Sequence, residues 1–555
     1  MSLSCQYDQV NSLNYLGDLV RQVAVEAKLK IPENYPKIAK IKGGELRVIP
    51  PTLSASEGIL LINGRLNPHL VYLTEPAVVA TDSENEQALV PEPMEYGISW
   101  LDEQGVAFSE RIEIPGLNPE VLMEVDLCPN TVLYERENHQ EVAFRGIVDL
   151  VIHTAIPQKV EVVSGIATQP VERVSVQREQ LLVEELAEVA KTVIPVRQTM
   201  LLPNFKPGVS RILNYFIKPA GVSYEPYNGK IAVKGNLEVT LLYVGADEAG
   251  RPNEIFVNEW NRELDTALPF EAFIDYNAAG RVVIEPKIAL QKVALEQLAS
   301  REFRCQLELE CACKIMNITA KELVVEVIPE TGEIIDIEKH LLNLAEFVDE
   351  TQGIIDFETT VNLAAEAPEI ERLLTSQGVL DDVVVETGDN QLLFKGNLSM
   401  SLYYIGNSDE QRLFRAAWEK GSSNSIPISG QLSCPGAPPG ATLRSRVALD
   451  ELQVEPLEAR CLKVRGRIKP VVVVKRPRAF NVICNCALVT PVDPATRPSM
   501  LFYVVQPEDT LWKIARKYET TVNTLIRSNQ LVNPDRLETG QKILIPKEIP
   551  GRFLN

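Results

Sequence analysis

The strongest constraint in this chain is a proline, glycine and tyrosine signature that occurs three times at matched spacing. In each copy the glycine follows the proline after 28 residues, and the tyrosine follows the glycine after eight. Successive copies are offset by 171 and then 161 residues. Solenoid and propeller units are only about 20–50 residues long, so each copy here is a whole domain. The three signatures are Pro36, Gly64 and Tyr72; Pro207, Gly235 and Tyr243; and Pro368, Gly396 and Tyr404.

The repeats divide the 555 residues into four domains. We predict repeats at residues 1–158, 159–315 and 316–486, and a small domain at 501–548. Repeats of this length bury enough surface to hold their own cores. Residues 487–500 contain three prolines and little periodic apolar content, which predicts a semi-rigid linker that lets the small domain find its ligand independently.

The composition bears on partners and compartment. With 55 basic and 76 acidic residues the net charge is −21, which disfavours phosphate backbones, so nucleic acid is not an expected partner. The chain contains no run of about 18 apolar residues, so membrane insertion is not expected. Its first ten residues lack a signal-peptide pattern, so export is not expected either. Nine scattered cysteines are typical of a reducing compartment, where disulfides are not expected to hold the fold together.

Alternating apolar residues around each repeated glycine predict a strand with one buried face, as in residues 230–245. A glycine inside such a strand indicates a bulge or a close backbone approach. A second strand, headed by an arginine, follows in every copy, so we predict a mainly β fold. The three arginines are either surface charges at a strand start or contacts between repeats or with a partner. They are Arg145, Arg304 and Arg465.

Short helices are expected beside these strands. The repeated prolines open the stretches PKIAKI, PGVSRI and PEIERL, whose apolar spacing suits a short amphipathic helix. Longer helical patterns at residues 178–193 and 338–348 are expected to bridge neighbouring repeats. In the first repeat, Pro68 predicts that its strand lies at a sheet edge. One tryptophan per copy favours core packing over a binding face; these are Trp100, Trp260 and Trp418.

The motif KGN occurs in repeats 2 and 3, followed by YY in repeat 3 and a single tyrosine in repeat 2, and RG heads the downstream strand in repeats 1 and 3. These strand motifs resemble the SPOCS domain of endospore-forming bacteria. The resemblance covers roughly residues 10–486 in three copies. Together with a small C-terminal domain, this is the organisation of SipL-like spore coat assembly proteins. The resemblance implies an assembly protein in the mother-cell cytoplasm, at the forespore surface or in the spore coat. It also implies other spore coat proteins as partners.

The tail, residues 503–546, resembles a LysM domain over its full length. Its own pattern predicts a βααβ unit. Thr510 or Asp509 caps a first helix, and Thr521 or Thr520 caps a second. The apolar stripe of the first helix is expected to consist of Leu511, Trp512, Ile514, Ala515 and Tyr518.

LysM domains bind N-acetylglucosamine-containing glycans such as peptidoglycan, and the resemblance implies a shallow groove between two loops. Glu508 occupies a place where a glycine often precedes the Asp-Thr pair, and its carboxylate would crowd or repel a sugar. In the SipL-like family the domain is implicated instead in docking onto the ATPase of the coat basement layer, which we rank slightly ahead of glycan binding. The implied groove residues are Asp509, Thr510 and Leu511 on one side and Leu531, Val532, Asn533 and Pro534 on the other.

The sequence contains few patterns typical of catalytic or metal-binding sites, so we predict no enzyme activity, no cofactor and no metal. The sequence has no phosphate-binding loop, HExxH or GxSxG motif, and its four histidines are dispersed. Two Cys-x-Cys pairs place both thiols on one face of a strand: Cys311 with Cys313, and Cys484 with Cys486. Four thiolates from two strands could surround a zinc ion, but a role as buried core residues is favoured over a zinc site.

The sequence therefore predicts a non-enzymatic, morphogenetic scaffold. Three β-rich repeats form an elongated body that self-associates or recruits partners, and the LysM domain docks it to a coat-basement protein or to peptidoglycan. One alternative is an extracytoplasmic cell-wall glycan-binding protein in which the repeats are spacers; the missing export signal disfavours it. Another is a wall hydrolase, which would need a catalytic domain that the repeats do not supply.

Overall fold

The computed structural model describes residues 2–75, 94–101, 104–115, 117, 121–169, 174–278, 280–329, 334–407, 413–420, 425–489, 500–507, 509–518, 520–531, 533 and 537–546. Strands dominate, which confirms the mainly β fold. In the described part of the chain no helix has the length and apolar character needed to cross a membrane. Most of the predicted linker, residues 490–499, lies outside the described residues.

Each repeat consists of seven strands in the same order, with the first strand of repeat 3 split in two. Repeat 1 comprises β1 (Ser2–Lys30), β2 (Ile38–Ser56), β3 (Ile59–Thr74), β4 (Glu95–Ser99), β5 (Val106–Glu113), β6 (Leu122–Arg136) and β7 (Glu141–Gln169). Repeat 2 comprises β8 (Val174–Leu201), β9 (Gly208–Tyr227), β10 (Lys230–Ala246), β11 (Pro252–Trp260), β12 (Leu268–Asp275), β13 (Arg281–Ala299) and β14 (Glu302–Pro329). Repeat 3 comprises β15 (Ile334–Gln352), β16 (Ile355–Asn362), β17 (Ile370–Thr387), β18 (Gln391–Gly406), β19 (Leu413–Trp418), β20 (Ile426–Ser433), β21 (Thr442–Pro456) and β22 (Cys461–Val489).

The strands of a repeat form two antiparallel sheets. In repeat 1 the long sheet has the order β1-β7-β6, and in the short sheet β3 pairs with β2 on one side and with β4 and β5 on the other. Repeats 2 and 3 have the same pairings. The last strands, β7 and β14, continue past residues 158 and 315, where the sequence placed the ends of the first two repeats.

The helices predicted at the repeated prolines are wrong, because these stretches begin strands β2, β9 and β17. A β-bulge explains the misleading spacing. The register of β2 against β3 shifts between Ile38 and Lys40, so one extra residue separates Ile38 from Ile41. Two apolar residues three positions apart therefore fall on one face of a strand, which imitates a helical turn. Equivalent shifts occur near the starts of β9 and β17.

The bridging helices predicted at residues 178–193 and 338–348 are also wrong, since both segments belong to the long strands β8 and β15. Each pairs along its length with the last strand of its own repeat, β14 or β22. Helix-forming residues such as alanine, leucine and glutamate are frequent here, but pairing with a distant strand overrides a local propensity.

Pro68 does not lie on an edge strand, because β3 is paired on both sides. The carbonyl oxygen of Pro68 accepts a hydrogen bond from Trp100 N. The N and C=O of one strand residue point to the same side, so the missing N–H of Pro68 also faces that side. Pro68 lies between Leu66, where the pairing with β5 ends, and His69, where the pairing with β4 begins. No backbone N–H is needed there for a hydrogen bond between strands, so proline is tolerated.

A hydrogen bond explains why proline and tyrosine recur 36 residues apart. The Tyr72 hydroxyl donates to the carbonyl oxygen of Pro36 at 2.9 Å, and its ring is fully buried. The same bond joins Tyr243 to Pro207 at 3.4 Å and Tyr404 to Pro368 at 3.3 Å. It fastens the start of the second strand of each repeat to the third strand.

The repeated glycines and tryptophans serve the cores. Gly64 lies opposite Phe108 and Gly235 opposite Phe270 on neighbouring strands. A Cβ at either glycine would come within 2.3 or 2.7 Å of the aromatic ring, so the ring needs a glycine beneath it. This is the close approach expected from the sequence. The tryptophans are buried, which confirms the prediction of core packing.

The three repeats close into a ring, so the expected elongated body is wrong. Strand β4 of repeat 1 contacts β9 of repeat 2, and β11 of repeat 2 contacts β17 of repeat 3. The third junction returns to the beginning, since β19 of repeat 3 contacts β2 of repeat 1. These are equivalent strands in each repeat, and the ring therefore has approximate threefold symmetry.

Apolar clusters with members from all three repeats hold the ring together. Val71, Leu242 and Tyr403 occupy equivalent positions, offset by the repeat periods of 171 and 161 residues, and share one such cluster. Val10, Leu181 and Leu342 on the first strands of the three repeats share another. Burial of these side chains favours the closed arrangement, because an open chain of repeats would expose them to water.

Candidate functional site

The C-terminal domain forms the predicted βααβ unit. Its elements are β23 (Met500–Val504), α1 (Leu511–Lys517), α2 (Val522–Asn529) and β24 (Lys542–Pro546), and β23 pairs antiparallel with β24. A small apolar core lies between the helices and the two strands. Its buried members are Val505, Leu511, Ile514, Ala515, Tyr518, Leu525, Ile543 and Ile545.

Local hydrogen bonds position the loop before α1. Thr510 is the N-cap residue, and its hydroxyl accepts from Lys513 N at 3.2 Å. The Asp509 carboxylate accepts from the Tyr503 hydroxyl at 2.7 Å and from Gln506 N at 2.8 Å. Burial, followed by the hydrogen bond to Asp509, raises the pKa of Tyr503 to about 12, so the phenol remains a hydrogen-bond donor at neutral pH.

The second helix has the same kind of start. Thr521 is its N-cap residue and accepts from Thr524 N at 3.1 Å. The helix ends at Gln530, whose left-handed φ of 51° turns the chain toward Leu531. The Asn529 side chain then ties this end to β24, with hydrogen bonds to the Leu544 carbonyl and amide at 2.8 and 2.6 Å.

The implied groove residues have different environments. Thr510 and Asn533 are exposed, and Asp509 is half-buried. Leu511 is buried in the core, and the half-buried Leu531 packs against the same core, so the structure brings the two predicted sides together at this cluster. Val532, Pro534 and the preceding Glu508 lie outside the described residues.

The sequence placed Trp512 in the buried stripe of α1, and this is wrong because its side chain is 59% exposed. The buried positions 511, 514, 515 and 518 follow the helical spacing of three and four residues, and residue 512 is off that stripe. The Arg516 guanidinium lies 5.0 Å from the centre of the Trp512 ring. Strict helical periodicity could have identified this exposed aromatic surface.

The candidate groups of the repeats serve internal packing. Cys311 and Cys313 are fully buried in the core of repeat 2, whereas Cys484 and Cys486 pack in two other clusters. The four thiols therefore do not converge on a common metal position. Within the described residues, no group of three or more histidine, cysteine or acidic side chains is arranged to hold a metal ion.

The repeated arginines form ion pairs within their own repeats. Arg145 contacts Glu26 at 2.7 Å, Arg304 contacts Glu296 at 3.1 Å, and Arg465 contacts Glu358 at 3.0 Å. These pairs are largely exposed, which agrees with the interpretation as surface charges rather than contacts between repeats.

Comparison with known proteins identifies the C-terminal unit. The LysM domain model matches residues 503–546. The cortical fragment-lytic enzyme of Bacillus subtilis (strain 168) is 48% identical over 54 residues, which are 10% of this chain and 12% of the enzyme. The spore coat assembly protein ExsA of Bacillus cereus is 48% identical over 50 residues, 9% of this chain and 8% of ExsA.

These matches fall in the LysM region, and the chain covers about a tenth of the length of each relative. No solved structure matches the chain. The matched residues 503–546 cover both helices and β24 and nearly all of the C-terminal unit, which begins with β23 at Met500. Residues 503–546 therefore form a LysM domain.

Proposed function

We propose that this protein is a non-enzymatic scaffold in the assembly of the endospore coat or envelope. The three-repeat ring presents surfaces to other spore coat proteins, and the LysM domain fastens the ring to a second layer. The SPOCS-like motifs of the repeats support this proposal, as do relatives of the LysM region that are named for the cortex and the coat. The proposed location is the mother-cell side of the forespore surface.

The observation that carries the proposal is the closure of the ring. The repeated proline, glycine, tyrosine and tryptophan residues all serve internal packing or hydrogen bonding. These repeated residues therefore build a common platform. A ring of three repeats, joined to one binding domain, can present several contact surfaces and so suits the joining of layers.

For the LysM domain we propose docking onto the coat-basement ATPase, with peptidoglycan as the second candidate ligand. The exposed Trp512 and the neighbouring Arg516 favour a protein surface, because tryptophan and arginine are enriched at the centres of protein interfaces. Asn533 is a predicted groove residue with an exposed side chain, so it can be changed without disturbing the core.

A binding experiment with the full-length chain separates the two ligands. Retention is measured on purified peptidoglycan and on the immobilised coat ATPase for the wild type, Asn533→Ala and Asn523→Ala. Both asparagines are exposed, but Asn523 lies on α2 outside the predicted groove. We expect Asn533→Ala to weaken retention by the ATPase about tenfold and Asn523→Ala to leave it unchanged. Retention by peptidoglycan alone would contradict the docking proposal.

The alternative function is glycan binding outside the cytoplasm, with the repeats as spacers. The relative named cortical fragment-lytic enzyme favours it, because its LysM region is 48% identical to that of this chain. A fluorescent fusion followed through sporulation distinguishes the two. The scaffold proposal requires a signal that gathers at the forespore surface, and a signal along the vegetative cell wall would support the alternative.

A further inference from the structure

One apolar layer of the ring contains a pair of cysteines at a special position. The layer is part of a larger apolar cluster and consists of three pairs of residues, each of which joins the first and last strands of one repeat in register. Four of these six positions carry valine or isoleucine. The pairs are Cys5 with Ile166, Val176 with Val327, and Ile337 with Cys486.

The side chains of the two cysteines also meet each other across the junction between two repeats. The Cys5 sulfur lies 2.7 Å from the Cys486 sulfur, and the two residues are 481 positions apart. Cys5 belongs to repeat 1 and Cys486 to repeat 3. By equivalence, the same places at the other two junctions are filled by Val176 with Ile166 and by Ile337 with Val327. Thiols thus replace aliphatic groups at one of the three junctions.

That junction differs from the others in its connectivity. Repeat 1 continues directly into repeat 2, and repeat 2 into repeat 3, so covalent chain already spans these two junctions. Repeat 3 meets repeat 1 only through noncovalent contacts between residues that are remote in sequence. The cysteine pair therefore lies where the ring would open first.

We propose that Cys5 and Cys486 form a disulfide when the protein meets an oxidising thiol–disulfide environment, and that this bond locks the ring closed. Both residues are free thiols in this structure. The bond would join the two ends of a long segment, and a cross-link of this kind restricts the unfolded chain most when the enclosed loop is long.

The reaction balances with a low-molecular-weight disulfide such as oxidised glutathione. Cys5 is half-buried and Cys486 is buried, so the reagent reaches Cys5 first. The Cys5 thiolate attacks one glutathione sulfur, forms a mixed disulfide and releases one glutathione thiolate. The Cys486 thiolate then attacks the Cys5 sulfur and releases the second glutathione. The two thiol protons pass to solvent or to the released thiolates, and the reagent accepts two electrons.

The experiment uses the purified full-length chain, reduced and then treated with oxidised glutathione. Remaining thiols are blocked with a maleimide before analysis. We expect faster migration on a non-reducing gel and a peptide that joins Cys5 to Cys486 in the mass spectrum. We also expect the urea midpoint of unfolding to shift to higher concentration, and dithiothreitol should reverse all three effects.

The variants copy residues that the ring already uses. Cys5→Val and Cys486→Val place at these positions the residues found at 176 and 327, so the layer stays apolar. Each should abolish the oxidant-dependent shift. Cys484→Val, two residues away on the same strand, should retain it. Failure to recover the joined peptide from the oxidised wild type, whichever other thiols react, overturns the proposal. Loss of the shift in Cys484→Val overturns it as well.

Discussion

At the scale of single residues, the tyrosine hydroxyl has the clearest role. Three times it donates to the carbonyl oxygen of a proline 36 residues earlier, from a ring that is at most 1% exposed. The accepting prolines are half-buried, so the net contribution of each bond to stability is expected to be near the typical value for one hydrogen bond. The bond at Tyr72 is the shortest of the three, at 2.9 Å.

Replacement of Tyr72 by phenylalanine tests this bond. The ring still fills the core, so the loss is confined to the hydroxyl, and we expect the free energy of unfolding to fall by about 1 kcal/mol. Urea denaturation followed by circular dichroism measures it. The exposed Tyr227, changed in the same way, is the control and should leave the midpoint unaltered. Equal effects of the two changes would show that the hydroxyl bond does not matter.

A second residue, His69, lies at the junction of repeats 1 and 2. Its Nε2 is 3.0 Å from the Leu213 carbonyl oxygen, which can only accept, so Nε2 carries the proton. Its Nδ1, 2.7 Å from the Ser99 hydroxyl, is then the acceptor of the neutral ring. Burial, together with the nearby charge of Arg47, lowers the pKa of His69 well below its usual value. The equivalent positions in the other repeats are Thr240 and Ser401.

The sign of the resulting pH dependence follows from this lowered pKa. Below about pH 6.5 the unfolded state binds a proton at this histidine that the folded state does not. The contribution of the neutral His69 to the free energy of unfolding is therefore present above that pH and is lost as the pH falls. We expect the urea midpoint of the wild type to drop more between pH 7.5 and 5.5 than that of His69→Thr. The same pH dependence in both proteins would contradict the assignment.

At the scale of elements, the sequence predicted strands best where the apolar alternation was uninterrupted. The strand around Gly235 was predicted because Ile231, Val233, Leu237, Val239 and Leu241 alternate, and all five are fully buried. Prediction from apolar alternation failed where β-bulges change the spacing of the buried residues, as at the start of β2. It also failed in β8 and β15, whose pairing partners lie more than a hundred residues away and leave no local signal.

The LysM domain was predictable in its elements because its helices are short, capped and locally encoded. Thr510 and Thr521 cap α1 and α2 as the sequence suggested. The exposure of Trp512 was not predicted, because the apolar stripe assigned to α1 includes this residue although it lies off the spacing of the buried positions 511, 514, 515 and 518. Side-chain direction on a helix is set by position as well as by hydrophobicity.

At the scale of the whole molecule, buried charges join the repeats. Glu184 of repeat 2 is 1% exposed, and its carboxylate receives two hydrogen bonds from Arg444 of repeat 3 at 2.7 and 3.1 Å. Lys475 of repeat 3 also contacts this carboxylate, and the Tyr15 hydroxyl of repeat 1 lies 2.6 Å from Arg444. Burial acts to raise the pKa of Glu184, but the two cations outweigh it and the pKa is lowered.

Removal of this carboxylate should loosen the ring. Glu184→Ala leaves Arg444 and Lys475 buried with too little negative charge, and we expect a loss of about 3–5 kcal/mol in the free energy of unfolding. Glu179 on the same strand is the matched control. It also pairs with repeat 3, through Arg478 at 2.6 Å, but is 40% exposed. Glu179→Ala should cost at most about 1 kcal/mol. A comparable loss for both in a thermal or urea titration would argue against a buried cluster.

Joining three copies in one polypeptide has a consequence that a trimer of identical subunits lacks. In such a trimer every substitution appears three times, so a change useful at one place must be tolerated at the other two. Here Cys5, Val176 and Ile337 stand at equivalent sites, as do His69, Thr240 and Ser401. Each repeat is thus free to acquire its own side chains at such a site while the shared fold of the repeats is kept.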